Sequence, residues 1–141
     1  MKNNSNQILI AEDDQVVARI QKFLLEKAVS LSPVMCKNGR EAFEFLQVNS
    51  EESDKILVLL DLNMPEMNGW DFLEACKESS FAEKVHVVVL TSSLFWEDEE
   101  KAASYEQVIG YYTKPITPGM LQEILRLPQV CGFFEPVLKS R

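Results

Sequence analysis

Leu59-Leu60-Asp61-Leu62-Asn63-Met64-Pro65 closes an apolar run, Ile56 to Leu60, on a single carboxylate. Pro65 and Asn68-Gly69 follow, so the chain is expected to turn just beyond it. A short apolar run bounded by turn residues reads as a strand buried on both faces. A carboxylate at the C-terminal end of such a strand lies where open α/β sheets bind ligands. Alone, Asp61 is equally a packed acid, a nucleophile or a metal ligand. The rest of the chain has to supply its partners.

Upstream, Ile8-Leu9-Ile10-Ala11 is a second apolar run, ending at Glu12-Asp13-Asp14. Asp14 reads as an N-cap, and Val17, Ile20, Leu24 and Ala28, with Phe23, recur at helical spacing. Pro33 to Cys36 is a weak strand. Asn38-Gly39 is read as a turn before a helix marked by Ala42, Phe43, Phe45 and Leu46, and 49–55 is a polar connector. Downstream, Trp70, Phe72, Leu73 and Ala75 mark a third helix. Val85 to Leu90 is a strand ending at Thr91-Ser92-Ser93, and Glu97 to Ala103 an exposed acidic helix. Gln107 to Tyr112 is a fifth strand, ending at Thr113-Lys114-Pro115. Thr117-Pro118 then caps a helix with Met120, Leu121, Ile124 and Leu125 on its apolar face, and Pro128 stops it.

Five strands alternating with five helices predict an α/β fold, a doubly wound parallel sheet with helices on both faces. Right-handed crossovers put every strand's C-terminal end on one edge. Four strands then end in Glu12-Asp13, Asp61, Thr91 and Lys114.

The chain has 141 residues and a net charge of −8. The length suits one domain, and the acidity argues against nucleic acid or an anionic membrane as a direct partner. Cys36, Cys76 and Cys131 show no metal or redox spacing and read as buried thiols of a cytoplasmic protein. The polar N-terminus has no signal-peptide core, and no apolar run approaches the roughly 20 residues of a membrane span.

Clustered carboxylates repel unless a cation joins them. Asp13 and Asp61, with a backbone carbonyl near Asn63, form an all-oxygen set suited to Mg²⁺. A carboxylate beside Mg²⁺ can take a phosphoryl group as an acyl phosphate. Lys114 and Thr91 would supply the positive charge and hydroxyl donor that its oxygens need. Phosphoryl transfer is the chemistry that uses the whole set.

In order and with family-like spacing over about residues 7–127, Ile8 to Asp14, Leu60 to Pro65, Leu90-Thr91-Ser92 and Lys114-Pro115 resemble the response regulator receiver domain of two-component signalling. The resemblance implies a flavodoxin-like strand order, 2-1-3-4-5. It implies Asp61 as phospho-acceptor, Asp13 as direct Mg²⁺ ligand, Glu12 acting through water, and Asn63 contributing its backbone carbonyl. It makes Thr91 the switch hydroxyl, Lys114 the partner of the phosphoryl group, and Tyr111 the aromatic that turns inward with Thr91. It also implies a cis bond at Lys114-Pro115. The donor would be a histidine kinase or histidine phosphotransfer protein, since His86 starts a strand and reads as a sheet residue. The protein would be a signalling module rather than an enzyme, catalysing only its own phosphorylation and dephosphorylation, and would signal to an unknown downstream protein.

A second class stays open, a Mg²⁺-dependent phosphohydrolase with an Asp nucleophile. Such enzymes usually carry a second carboxylate two residues after the nucleophile, and here that position is Asn63. Trp70 and Trp96 read as packing or surface aromatics, and Glu97 to Glu100 as a solvated helix start. Residues 128–141 are too few for an output domain, yet Val130, Phe133, Phe134, Val137 and Leu138 are apolar. Either they cover the last helix or the sheet's edge, the preferred reading, or they form a partner or homodimer contact.

Overall fold

A computed structural model describes residues 6–137 of the chain. Its strands are β1 (Gln7–Ala11), β2 (Val34–Cys36), β3 (Ile56–Leu60), β4 (Val85–Thr91) and β5 (Val108–Thr113). They form one parallel sheet in the order β2-β1-β3-β4-β5, as expected. The helices are α1 (Gln15–Ala28), α2 (Gly39–Asn49), α3 (Gly69–Lys77), α4 (Trp96–Ala103) and α5 (Pro118–Arg126).

The sheet buries both faces because its central strands β1, β3 and β4 are apolar at every position but Gln7, His86 and Thr91. All five residues of β3 are buried. Ile56, Val58 and Leu60 face one way, with Leu9, Val87 and Val89, and pack on Leu46 of α2, Phe72 and Leu73 of α3 and Ala102 of α4. Leu57 and Leu59 face the other way, with Ile8, Ile10 and Val88, and pack on Leu25 of α1 and Leu121 and Ile124 of α5. Each fully buried Leu, Ile or Phe contributes about 1.5–3 kcal/mol of transfer free energy. The two layers of side chains therefore fix β3 at the centre and aim its C-terminal end at one place.

Three local expectations change. Asn38-Gly39 and Asn68-Gly69 are not free turns but helix starts. The Asn38 side chain accepts from the Glu41 amide, and Asn68 forms a reciprocal capping box with Asp71. Helix α1 keeps its Asp14 cap but turns a different face inward, burying Ala18, Gln21 and Leu25. Ile20 and Phe23 stay 48% and 59% exposed. So many apolar residues surround this helix that helical spacing alone admits more than one inward face, and tertiary packing selects it. Cys36 and Cys76 are buried as expected, and burial pushes each thiol up to about 12. Cys131 is exposed, because it lies where the chain leaves α5 and runs over the surface.

The chain after α5 returns under the N-terminal ends of the strands. Val130 is buried beside the α1/α5 face. The Phe133 ring lies 5.6 Å from His86 of β4 and beneath the Lys55 ammonium, 4.6 Å from its Nζ. Asn6 donates to the Phe133 carbonyl. Ser30 donates its N–H to Glu135 and Val137 to Ala28, tying the segment to the end of α1. Leu138 lies outside the described residues.

Candidate functional site

The polar residues at the C-terminal edge are held by extensions of the sheet's own ladder. The Glu12 N–H donates to the Cys36 carbonyl at 3.0 Å, and the Asp61 N–H to Ala11 at 3.0 Å. The Lys114 N–H donates to the Thr91 carbonyl at 2.8 Å. Each is thus one step past its strand, yet its backbone is still pinned. The Lys114-Pro115 bond is cis, as the resemblance implied.

Side chains converge from there. The Lys114 ammonium lies 2.9 Å from Glu12 Oε1 and 3.2 Å from Asp61 Oδ2. Glu12 and Asp61 are only 1% and 5% exposed. Glu12 Oε2 also accepts from the Asp14 N–H, and Asp61 Oδ1 from the Asn63 N–H at 3.4 Å. Burial pushes the Glu12 carboxyl up to about 7 and prevails over the hydrogen bonds from Lys114 and Asp14, while the nearby Asp61 adds to the rise. For Lys114, burial opposes the charged form, but the bonds and charges of Glu12 and Asp61 outweigh it and hold its pKa above the ordinary value.

Asp13 is exposed at the mouth, and it, Glu12 and Asp61 each bring a carboxylate oxygen within 4.8 Å of the others. Two buried acids and one exposed acid, all with oxygen donors, suit a hard cation that keeps part of its water shell. Receiver domains generally bind Mg²⁺, and this donor set fits it.

The loop after Asp61 is gripped by two glycines. Gly69 donates to the Leu62 carbonyl and Gly39 to the Met67 carbonyl. A Cβ on Gly69 would lie 2.6 Å from the Asp61 carbonyl oxygen, so α3 can start this close only without a side chain there. Glu66 takes a left-handed φ of 63°, with its carboxylate held by Arg40 and Asn38.

Of the residues anticipated from sequence, Glu12, Asp13, Asp61 and Lys114 meet directly. Thr91 is fully buried, and its hydroxyl accepts from the Ser93 N–H at 3.2 Å. Asn63 is exposed in the loop. Tyr111 is half-buried, its hydroxyl is enclosed, and its ring packs on the α2/α3/α4 side of the sheet. The direct Glu12–Lys114 pair was not foreseen, because the resemblance placed Glu12 near the metal through water. The signal was present in Ala11-Glu12, where an acid continues a strand that is otherwise buried. Ser93 was read only as part of a strand end, yet its hydroxyl bonds Asp98 of α4 at 2.5 Å.

Fold and edge together define a flavodoxin-like α/β protein with an acidic, lysine-bridged cluster at its strand ends. Residues 8–126 match the family described as the response regulator receiver domain, and the chain belongs to that family. It is 29% identical over 120 residues to chemotaxis protein CheY1 of Helicobacter pylori, covering 85% of this chain and 94% of that protein. It is 30% identical over 133 residues to hybrid signal transduction histidine kinase I of Dictyostelium discoideum, covering 91% of this chain but only 7% of the kinase. A two-component response regulator from Legionella pneumophila superposes with a TM-score of 0.71 at 30% identity, covering 84% of this chain and 94% of that one. The protein is a phosphorylation-switched module of two-component signalling. Receiver domains take their phosphoryl group from histidine kinases. None of the described helices is long and apolar enough to cross a membrane.

Proposed function

We propose that Asp61 is the phospho-acceptor of a cytoplasmic His-to-Asp relay, and that Glu12, Asp13, Thr91 and Lys114 complete its site. The observation that carries this reading is the Lys114 ammonium bridging Glu12 and Asp61 at the end of the central strand. Asp61 Oδ attacks the phosphorus of a partner's phosphohistidine, from a histidine kinase or phosphotransfer protein. The N–P bond breaks as the O–P bond forms, and the imidazole leaves. Asp13, Asp61 and the Asn63 carbonyl, with Glu12 through water, would hold Mg²⁺, which would supply positive charge against the phosphoryl oxygens.

The chain's own groups do the rest. Lys114 exchanges its contact with the Asp61 carboxylate for one with a phosphoryl oxygen. Thr91 releases the Ser93 N–H and turns its hydroxyl toward the phosphoryl group, and Tyr111 occupies the space behind it. Water later cleaves the acyl phosphate, releasing inorganic phosphate and restoring Asp61. Catalysis is confined to these steps on the protein itself. The phosphohydrolase reading is weaker, since Asn63 brings an amide where an acid/base carboxylate is needed.

The test is intact-mass measurement after incubation with a small phosphodonor and Mg²⁺. The wild-type chain should gain one phosphoryl group, and Asp61→Asn none. Uptake by Asp61→Asn at the wild-type rate would overturn the assignment, and sustained turnover of small phosphate esters would favour the hydrolase.

A further inference from the structure

Leu94, Phe95 and Trp96 are 85%, 72% and 66% exposed, three consecutive large apolar residues facing solvent between β4 and α4. Single exposed hydrophobic residues are ordinary, but a consecutive run of them is a liability unless it is covered in use. The run passes directly into Glu97, Asp98, Glu99 and Glu100, of which Glu97, Glu99 and Glu100 are exposed. The apolar triplet therefore borders a strongly negative surface. It is also tied to the phosphorylation site. Ser93 donates its N–H to the Thr91 hydroxyl, its own hydroxyl donates to Asp98, and the Phe95 N–H donates to that hydroxyl. A Thr91 that turns away drops the first of these bonds, at the base of the loop carrying the triplet.

We infer that Leu94-Phe95-Trp96, with Glu97, Glu99 and Glu100, forms a docking surface for a protein segment that is apolar on one side and Lys/Arg-rich on its flank. Charge complementarity chooses this occupant. In a two-fold contact between copies of this chain, each acidic run would face the other, and repulsion would oppose the contact. An anionic lipid surface is disfavoured for the same reason. The inference deepens the proposed function, naming the chemistry of the downstream partner, and its dependence on phosphorylation rests on the Asp61 reading.

The probe is a synthetic helix of about 14 residues with Leu on one face and Lys on the other. Its control carries Glu in place of Lys. The chain has two Trp residues, so Trp70→Phe leaves Trp96 as sole reporter. The Leu/Lys peptide should blue-shift Trp96 emission and bind tighter after phosphoryl uptake, and the Leu/Glu peptide should do neither. In Leu94→Ser/Phe95→Ser, affinity measured by calorimetry should fall about tenfold, because exposed anchors of this kind dominate small interfaces. Glu97→Gln/Glu100→Gln should weaken it too, and circular dichroism should show both variants folded. Undiminished binding to the serine variant would mean that the peptide only senses net charge, and would overturn the inference. So would equal binding of the Leu/Glu peptide, or sedimentation of the chain as a dimer that the serine variant abolishes. Intact mass reports Asp61 separately. A chain that takes up phosphoryl but binds the peptide no better for it overturns the coupling and leaves the acceptor assignment standing.

Discussion

The two ends of the sheet solve opposite problems with the same strands. At the C-terminal end, β1, β3 and β5 lead into Glu12, Asp61 and Lys114, three charges nearly or partly buried and facing one another. At the N-terminal end, Lys55 and His86 meet one aromatic ring, Phe133, brought there by the chain after α5, and Asn6 donates to that residue's backbone carbonyl. The first end keeps buried charge and depends on pairing to tolerate it. The second is closed by an apolar lid. The proposed chemistry lies at the first end and the lid at the second, so variants at the two ends should separate cleanly.

The largest difference should appear with Asp13→Ala. Removing the exposed carboxylate of the acidic set should weaken Mg²⁺ binding about a hundredfold, or about 2.7 kcal/mol. Titration followed by Trp70 fluorescence or calorimetry would show it. Phe133→Ala should leave the same titration unchanged. Equal Mg²⁺ affinity in Asp13→Ala and wild type would place the metal elsewhere.

Gly69→Ala comes next. Its Cβ would meet backbone atoms of Asp61 and Leu62 at 2.6 and 2.8 Å, and backbone cannot swing aside as a side chain can. The cost should be about 1–3 kcal/mol, the usual range for overpacking, read as a lower urea midpoint with unchanged slope. Because the displaced atoms belong to Asp61 and its loop, the proposed phosphoryl uptake should slow as well. A stable variant with full uptake would show that the α3 start is free to move.

Phe133→Ala probes the other end alone. Phe133 is half-buried, so the loss should be about 1–2 kcal/mol, below that of a fully buried ring. Thermal unfolding would record it, and phosphoryl uptake should stay at the wild-type rate. Slowed uptake would mean that the lid communicates with the site through the sheet.

The same contrast governs what the sequence made legible. The polar strand ends were readable because each follows a run of apolar residues, and a parallel sheet leaves its strand ends only one edge to share. Leu60-Asp61 and Tyr112-Thr113-Lys114 needed no tertiary information beyond that. Helix α1 was harder, since Val16, Val17, Ile20, Phe23, Leu24 and Leu25 leave its inward face to be selected by packing. The Asn-Gly pairs misled because the residue type serves turns and N-caps alike, and only the Glu41 and Asp71 amides decide between them. The apolar residues after α5 signalled burial, but where Phe133 lands depends on contacts with Asn6, Lys55 and His86 that are remote in the chain.

The smallest effect should be a pH dependence from the closed end. His86 is half-buried beside Phe133, and its Nε2 is buried with no hydrogen-bond partner among the described residues. Burial lowers its pKa below the ordinary 6.5, and the Lys55 charge lowers it further. In the unfolded chain the imidazole takes up its proton near the ordinary value, before the folded chain does. Its contribution to stability is therefore intact above about pH 6.5 and is lost as pH falls through the lowered folded value. Carboxylates add their own slope in acid, so the useful quantity is the difference between wild type and His86→Phe, measured by urea unfolding from about pH 7.5 to about pH 5.5. That difference should shift against the wild type as pH falls. Parallel curves would remove His86 as the cause. Phe133→Ala should shrink the effect, because opening the lid lets water solvate the imidazolium. The coupling between the two substitutions should then grow as pH falls, which neither a lost contact nor a general loosening of the fold would produce.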